Sequence, residues 1–230
     1  MKNEFIRFIF GIINIKYLEI MNDSYKKPNL FLEKNIEIFF LKSEKKIKNK
    51  INKSNYDFEK TEIKKEVERL IECENLNVPK LILNEKKESE YVEKLFLGQE
   101  LPSPCNFIEN YPYNIEFIVR KVKFKGNSSF FEYGLSTMTT IFQKIDVYCE
   151  HLEIEQTNWK DGILNNEKGI KKLNEDFKRT LDLLETNLRE LNILTNEKKK
   201  MIRKNINEYI EQKKQNILNI NMNIERLNEY

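Results

Sequence analysis

The residues best suited to chemistry lie close together in the middle of the chain. Cys149 and His151 stand two apart, Asp146 precedes them, and Glu153 and Glu155 follow. His151 is the only histidine, so any Ser–His or Cys–His nucleophile would have to use it. A thiol beside an imidazole on one strand face can be activated by it. However, a nucleophile and its base are usually brought together by the fold and not by adjacency in sequence. Cys149 therefore reads as a small structural residue beside a surface histidine. Cys73, Cys105 and Cys149 are far apart and form no CxxC pair. That spacing gives little support to a disulfide framework or a Cys/His zinc site, since Cys149 and His151 are only two of the ligands a site needs, and reduced cysteines in a cytoplasmic protein are expected.

The carboxylates meet the same test. Glu153-Ile154-Glu155 lacks the lysine of an acidic-x-Lys metal-nuclease triplet, and Asp146 has no acidic partner at such a spacing. Metal sites need clustered ligands with defined geometry, so solvated strand faces explain these three residues better than a metal-dependent hydrolase does. No Walker loop, GxGxxG or GxSxG motif is present. The expectation is a non-enzymatic protein with no metal and no cofactor.

A phosphate-binding reading attaches to Lys198, Lys199, Lys200, Arg203 and Lys204, the densest basic cluster. Glu197, Glu208 and Glu211 balance it, as on an ordinary solvated helix face. Across all 230 residues, 40 basic and 37 acidic side chains leave a net charge of only +3. The basic excess usual for a nucleic-acid module is absent. The run from Lys42 to Lys53 holds no aromatic residue and so no platform for base stacking. Phe107, Tyr111, Tyr113, Phe117, Phe130, Phe131, Tyr133, Tyr148 and Trp159 concentrate in the same central region. They fit the core of a pleated sheet better than a ligand pocket.

The elements that would position these residues follow from periodicity. Hydrophobic residues make up 40% and charged residues 33%, with only 6 Gly and 5 Pro, which disfavours a turn-rich all-β fold. An apolar segment at 1–20, with Phe5 to Ile15 at its centre, is too short to span a bilayer. It reads either as a core-packing element or as sequence upstream of a start at Met21. No other stretch approaches membrane-spanning length. Residues 21–105 read as mostly helical. Phe31 to Leu41 is an apolar run, Ile63, Val67, Leu70 and Ile71 make the inner stripe of a surface helix, and Glu90 to Leu97 reads as a further short helix. Asn77-Val78-Pro79 ends the surface helix, and Gly98 to Pro104 forms a loop.

Over 106–160 the period falls to two, the strand value. Ile115, Phe117 and Val119 alternate with polar residues, although Ile118 breaks the pattern. Val122 and Phe124, Ile145 and Val147, and Leu152 and Ile154 alternate likewise, predicting a small antiparallel sheet. Over 161–230 the helical period returns. Ile170, Leu173, Phe177, Leu181, Leu184, Leu188 and Leu191 form one seam, and Ile202, Ile206, Ile210, Ile217, Ile220, Ile224 and Leu227 form another. A break near Leu194-Thr195-Asn196-Glu197, with Thr195 or Asn196 as cap, predicts two coiled-coil-like helices folded back as a hairpin. The fold class expected is therefore α+β: N-terminal helices, a small central antiparallel sheet, and a long C-terminal helical hairpin.

The stretch Phe131-Glu132-Tyr133-Gly134-Leu135-Ser136-Thr137, followed by a strand pair and then two long helices, resembles the region that precedes the effector domain in restriction-endonuclease-like (Mrr-type) bacterial defence proteins. In that family a Phe-x-Tyr-x-Pro-Ser-Thr segment leads through strands into two helices, the second carrying basic residues near its middle. Here Glu211-Gln212-Lys213-Lys214-Gln215 stands in the comparable place, and Leu135 stands where the family has proline. The resemblance covers roughly 113–220. It implies a sensing, oligomerising or partner-binding module of an anti-phage system, with the catalytic segment outside this chain. The functional expectation is an interaction or regulatory module that binds a protein partner, or itself, through the hairpin seam of Leu181, Leu184, Leu188, Ile206, Ile210 and Ile217. The alternative is a nucleic-acid-binding protein using the basic face from Lys198 to Lys204.

Overall fold

The computed structural model describes residues 30–31, 34–53, 62–85, 88–101, 107–135, 138, 141, 143–157 and 166–228. The apolar segment at 1–20, Cys105, Ser136, Thr137 and Trp159 lie outside these described residues. Among the described residues seven strands and three α-helices run in the order β1 (Lys34–Asn35), α1 (Ile36–Lys53), α2 (Ile63–Cys73), β2 (Lys80–Leu81), β3 (Glu88–Leu97), β4 (Pro112–Lys125), β5 (Tyr133–Gly134), β6 (Lys144–Val147), β7 (His151–Gln156) and α3 (Glu167–Asn228). Mixed α and β structure and an antiparallel sheet are as expected.

The sheet is built around β4. Strands β3 and β7 flank it, β2 pairs with its last two residues, Phe124 and Lys125, and β6 lies beyond β7, all antiparallel. Separately, β1 and β5 form a short parallel pair, Lys34 opposite Tyr133 and Asn35 opposite Gly134. Gly134 is needed there because a Cβ would fall 1.3 Å from the Phe31 carbonyl oxygen.

Ile118 interrupts the alternation of β4 for a physical reason. Ile115 and Phe117 are buried on one face, with Leu101, Phe96, Phe107 and Tyr113. Ile118, Val122 and Phe124 are buried on the other, where α3 crosses the sheet. The covered face changes sides between Phe117 and Ile118, so two apolar residues must be adjacent. The same long strand explains why residues 88–97 are not the expected helix. Ten consecutive pairs, from Glu88 opposite Lys121 to Leu97 opposite Pro112, align them as a strand along β4. Pairing along a neighbouring strand overrides the local propensity of a segment such as Glu-Tyr-Val-Glu-Lys.

The expected C-terminal hairpin is corrected by a single helix of 62 residues, about 93 Å long at 1.5 Å per residue. Asn166 caps its start, its Oδ1 accepting the backbone N–H groups of Lys168 (3.0 Å) and Gly169 (3.4 Å). Thr195, expected as a cap, lies inside the helix and is 1% exposed. It stands four residues after Leu191 and seven before Ile202, so it continues the apolar stripe across the presumed break. No Gly or Pro occurs from 170 to 230, and Thr or Asn costs a helix only a fraction of a kcal/mol. Nothing in the sequence therefore stops propagation.

The main core joins the two halves of α3 to different elements. Its first part, through Phe177, Leu181 and Leu184, meets Val122, Phe124, Ile145, Leu152 and Ile154 of the sheet. Its middle, through Ile202, Ile206 and Ile210, packs with α1 (Ile47, Ile51) and α2 (Val67, Leu70).

Candidate protein-docking surface

The acidic and thiol residues singled out by spacing lie on the sheet face opposite α3 or at its rim. Cys149 is exposed in the turn between β6 and β7. The His151 ring stacks on Tyr148 at 4.6 Å with its plane tilted by 7°, and its Nε2 lies 3.4 Å from Glu153. Glu153 also faces Lys121 at 3.6 Å and accepts the Tyr148 hydroxyl at 3.2 Å. Glu155 is paired with Lys94 and with Lys144 at 3.8 Å, and Asp146 faces Lys144 at 3.7 Å. Each carboxylate thus meets a cation, Glu153 and Glu155 across neighbouring strands through Lys121 and Lys144 and Asp146 along its own strand, and the cross-strand pairs are opposite charges of the kind that stabilises sheets. Among the described residues no three His, Cys, Asp or Glu side chains are grouped to hold a metal ion.

A cleft of about 240 Å³ opens at one end of this face, lined by Ile82, Glu85, Glu88, Lys121, Lys123, Glu150 and His151. It is smaller than a typical ligand pocket. Of its two lysines, Lys123 is bound to Glu85 at 2.8 Å, a contact that raises the lysine's pKa and lowers that of the carboxyl.

The basic cluster of α3 is largely turned inward. Lys198 pairs with Glu37 of α1 at 2.7 Å. Arg203 holds the Glu68 carboxylate of α2 through two bonds of 2.6 and 2.9 Å. Lys199 donates to Asn77 at 3.4 Å, and burial, with Arg203 nearby, lowers its pKa. Lys200 is exposed, and Lys204 is exposed with Glu208 3.8 Å away. Residues chosen for phosphate binding are thus divided between a clamp that fixes α3 to α1 and α2 and two side chains left outside. Spacing alone marks them as neighbours on a helix. It does not show that Glu37 and Glu68 face them from elements more than 130 residues away.

The expected hairpin seam is also redistributed. Leu181, Leu184, Leu188, Ile206 and Ile210 are at most 5% exposed, but they pack into the chain's own core. Ile217 is different, at 44% exposed. Beyond Ile210 no residue of α3 is buried, and the helix continues for about 27 Å to Asn228. Over this stretch the stripe persists as Ile217 (44% exposed), Ile220 (56%), Ile224 (51%) and Leu227 (76%). Written as heptads, Ile217 and Ile224 are a positions and Ile220 and Leu227 are d positions, in phase with the buried Ile210 at the preceding a. A contiguous apolar face of this kind marks an interaction site more often than a scatter of single residues does.

Among the described residues no helix is long and apolar enough to cross a membrane. No protein-family model, curated protein or solved structure matches the chain.

Proposed function

We propose that the protein is a non-enzymatic interaction module. Its body of sheet, α1 and α2 holds the first part of α3 rigid and presents the last part as a docking helix. The observation that carries this reading is the stripe Ile217, Ile220, Ile224 and Leu227, which continues a core-facing seam beyond the body yet stays exposed. A helix anchored at one end needs no nucleation on binding, so the ordering cost that weakens short isolated helices is already met. The carboxylates of the sheet are paired with lysines, and Lys198 and Arg203 are paired with Glu37 and Glu68, which favours docking over catalysis or phosphate binding.

A regulatory place in an anti-phage system is the more specific form of this proposal. It rests on the Phe131–Thr137 pattern and the strand pair that follows it. The paired helices that completed the resemblance are one helix here.

The test is Ile217→Asp combined with Ile224→Asp in the full chain. The melting temperature should stay within a few degrees of the native value, because neither residue supports the core. Whatever assembly the native chain makes, with itself or with a protein co-purified from its host, should be lost. Assembly that persists in the doubly substituted chain would reject the docking role of this helix.

A further inference from the structure

Resting on that docking role, we infer that the occupant of the exposed stripe is a second copy of this chain, lying antiparallel to the first. The positions flanking the stripe decide the partner. Asn216 and Asn223 occupy g, and Asn221 and Asn228 occupy e. Coiled coils choose foreign partners mainly through opposite charges at e and g. These flanks carry none, so a second copy meets no repulsion. Each amide is donor and acceptor together and is therefore complementary to its own kind.

Direction follows from Lys213, which occupies the d position between Ile210 and Ile217. Its Nζ lies 6.0 Å from the centre of the Tyr209 ring. A parallel pair in register would set Lys213 against its own copy within the apolar seam, a like-charge contact that disfavours the arrangement. An antiparallel pair makes four layers, Ile217 with Leu227 and Ile220 with Ile224, each occurring twice about a two-fold axis. Lys213 then falls outside these layers. Asn221 faces its own copy on one flank and Asn223 faces its own copy on the other.

The experiment uses the full chain with Cys73→Ser, Cys105→Ser and Cys149→Ser, carrying either Asn221→Cys or Ile220→Cys. Light scattering from about 1 µM to about 300 µM spans the range expected of a small interface. Mass should rise from 27.8 kDa towards twice that value. On mild oxidation the Asn221→Cys chain should cross-link to a dimer, and Ile220→Cys, the d position of a parallel pair, should not. A chain that stays monomeric throughout overturns the inference, as does preferential cross-linking through Ile220→Cys. If the chain is monomeric but Ile217→Asp with Ile224→Asp still abolishes capture of a host protein, self-pairing fails and the docking role stands. If those substitutions change nothing, both fail.

Discussion

The guanidinium of Arg203 donates to both carboxylate oxygens of Glu68, at 2.6 and 2.9 Å, and so fixes the register of α3 against α2. Both side chains are partly exposed, at 39% and 47%, so water screens the pair and its contribution is about 1 kcal/mol or less. The bonds from Arg203 hold the Glu68 carboxyl below its ordinary pKa. A carboxyl whose folded pKa is depressed adds stability above the unfolded value, about 4.3, and that stability is lost as pH falls through the folded value. Glu68→Gln should therefore lower the urea midpoint slightly at neutral pH. The difference from the native chain should disappear well below about pH 4. A difference that stays constant through acid would mean the pair does not form.

Asn196 tests the continuity of α3. In an inter-helix loop a proline at this position would be tolerated. Inside an uninterrupted helix it removes a hydrogen bond and clashes with the preceding turn, costing about 3 kcal/mol or more. Asn196→Pro should reduce stability by that order in denaturant titration, with loss of helical circular dichroism.

How far these features could be read from sequence depends on what each residue's partner is. Strands β4, β6 and β7 and the stripe of α2 were legible because alternation and helical spacing are local signals, as Val122, Phe124, Leu152 and Val67 show. Ile118 was visible as an anomaly, but its cause, a change of covered face, needs the position of α3. The strand at 88–97 was misread because its identity comes from β4. Thr195 was misread because a capping residue type also fits a buried stripe position when both neighbouring turns are packed. In the candidate site, the residues Ile217 to Leu227 were legible as a stripe. That the preceding part of the seam is satisfied within the chain, leaving only the end free, was not.

Thr195 also carries a buried hydroxyl with no hydrogen-bond partner among the described residues. An unsatisfied buried polar atom costs about 1–3 kcal/mol, and replacing it with an apolar group of the same shape removes that cost. Thr195→Val should raise the melting temperature. A decrease would show that the hydroxyl is bonded in solution.

The two ends of the seam should respond differently to truncation. Leu184 is 0% exposed within the main core, so Leu184→Ala should destabilise by about 2–5 kcal/mol through lost contacts and a cavity. Ile220 is 56% exposed, so Ile220→Ala should leave the unfolding free energy of a dilute sample within about 0.5 kcal/mol of native. Equal effects at the two sites would contradict the division of α3 into a packed part and a free part.

The uninterrupted course of α3 carries everything else, because only a single helix takes Ile217 to Leu227 past the body. It is tested most directly by a spin-label distance between Glu175→Cys and Gln215→Cys, both exposed positions, in a cysteine-free chain diluted with unlabelled protein. One continuous helix places the two backbones about 60 Å apart at 1.5 Å per residue. A hairpin turning near Thr195 would set them side by side at about 10 Å, the spacing of packed helices. A distance near 60 Å is the expected result. One near 10 Å would return the stripe to a seam within the chain and remove the docking surface.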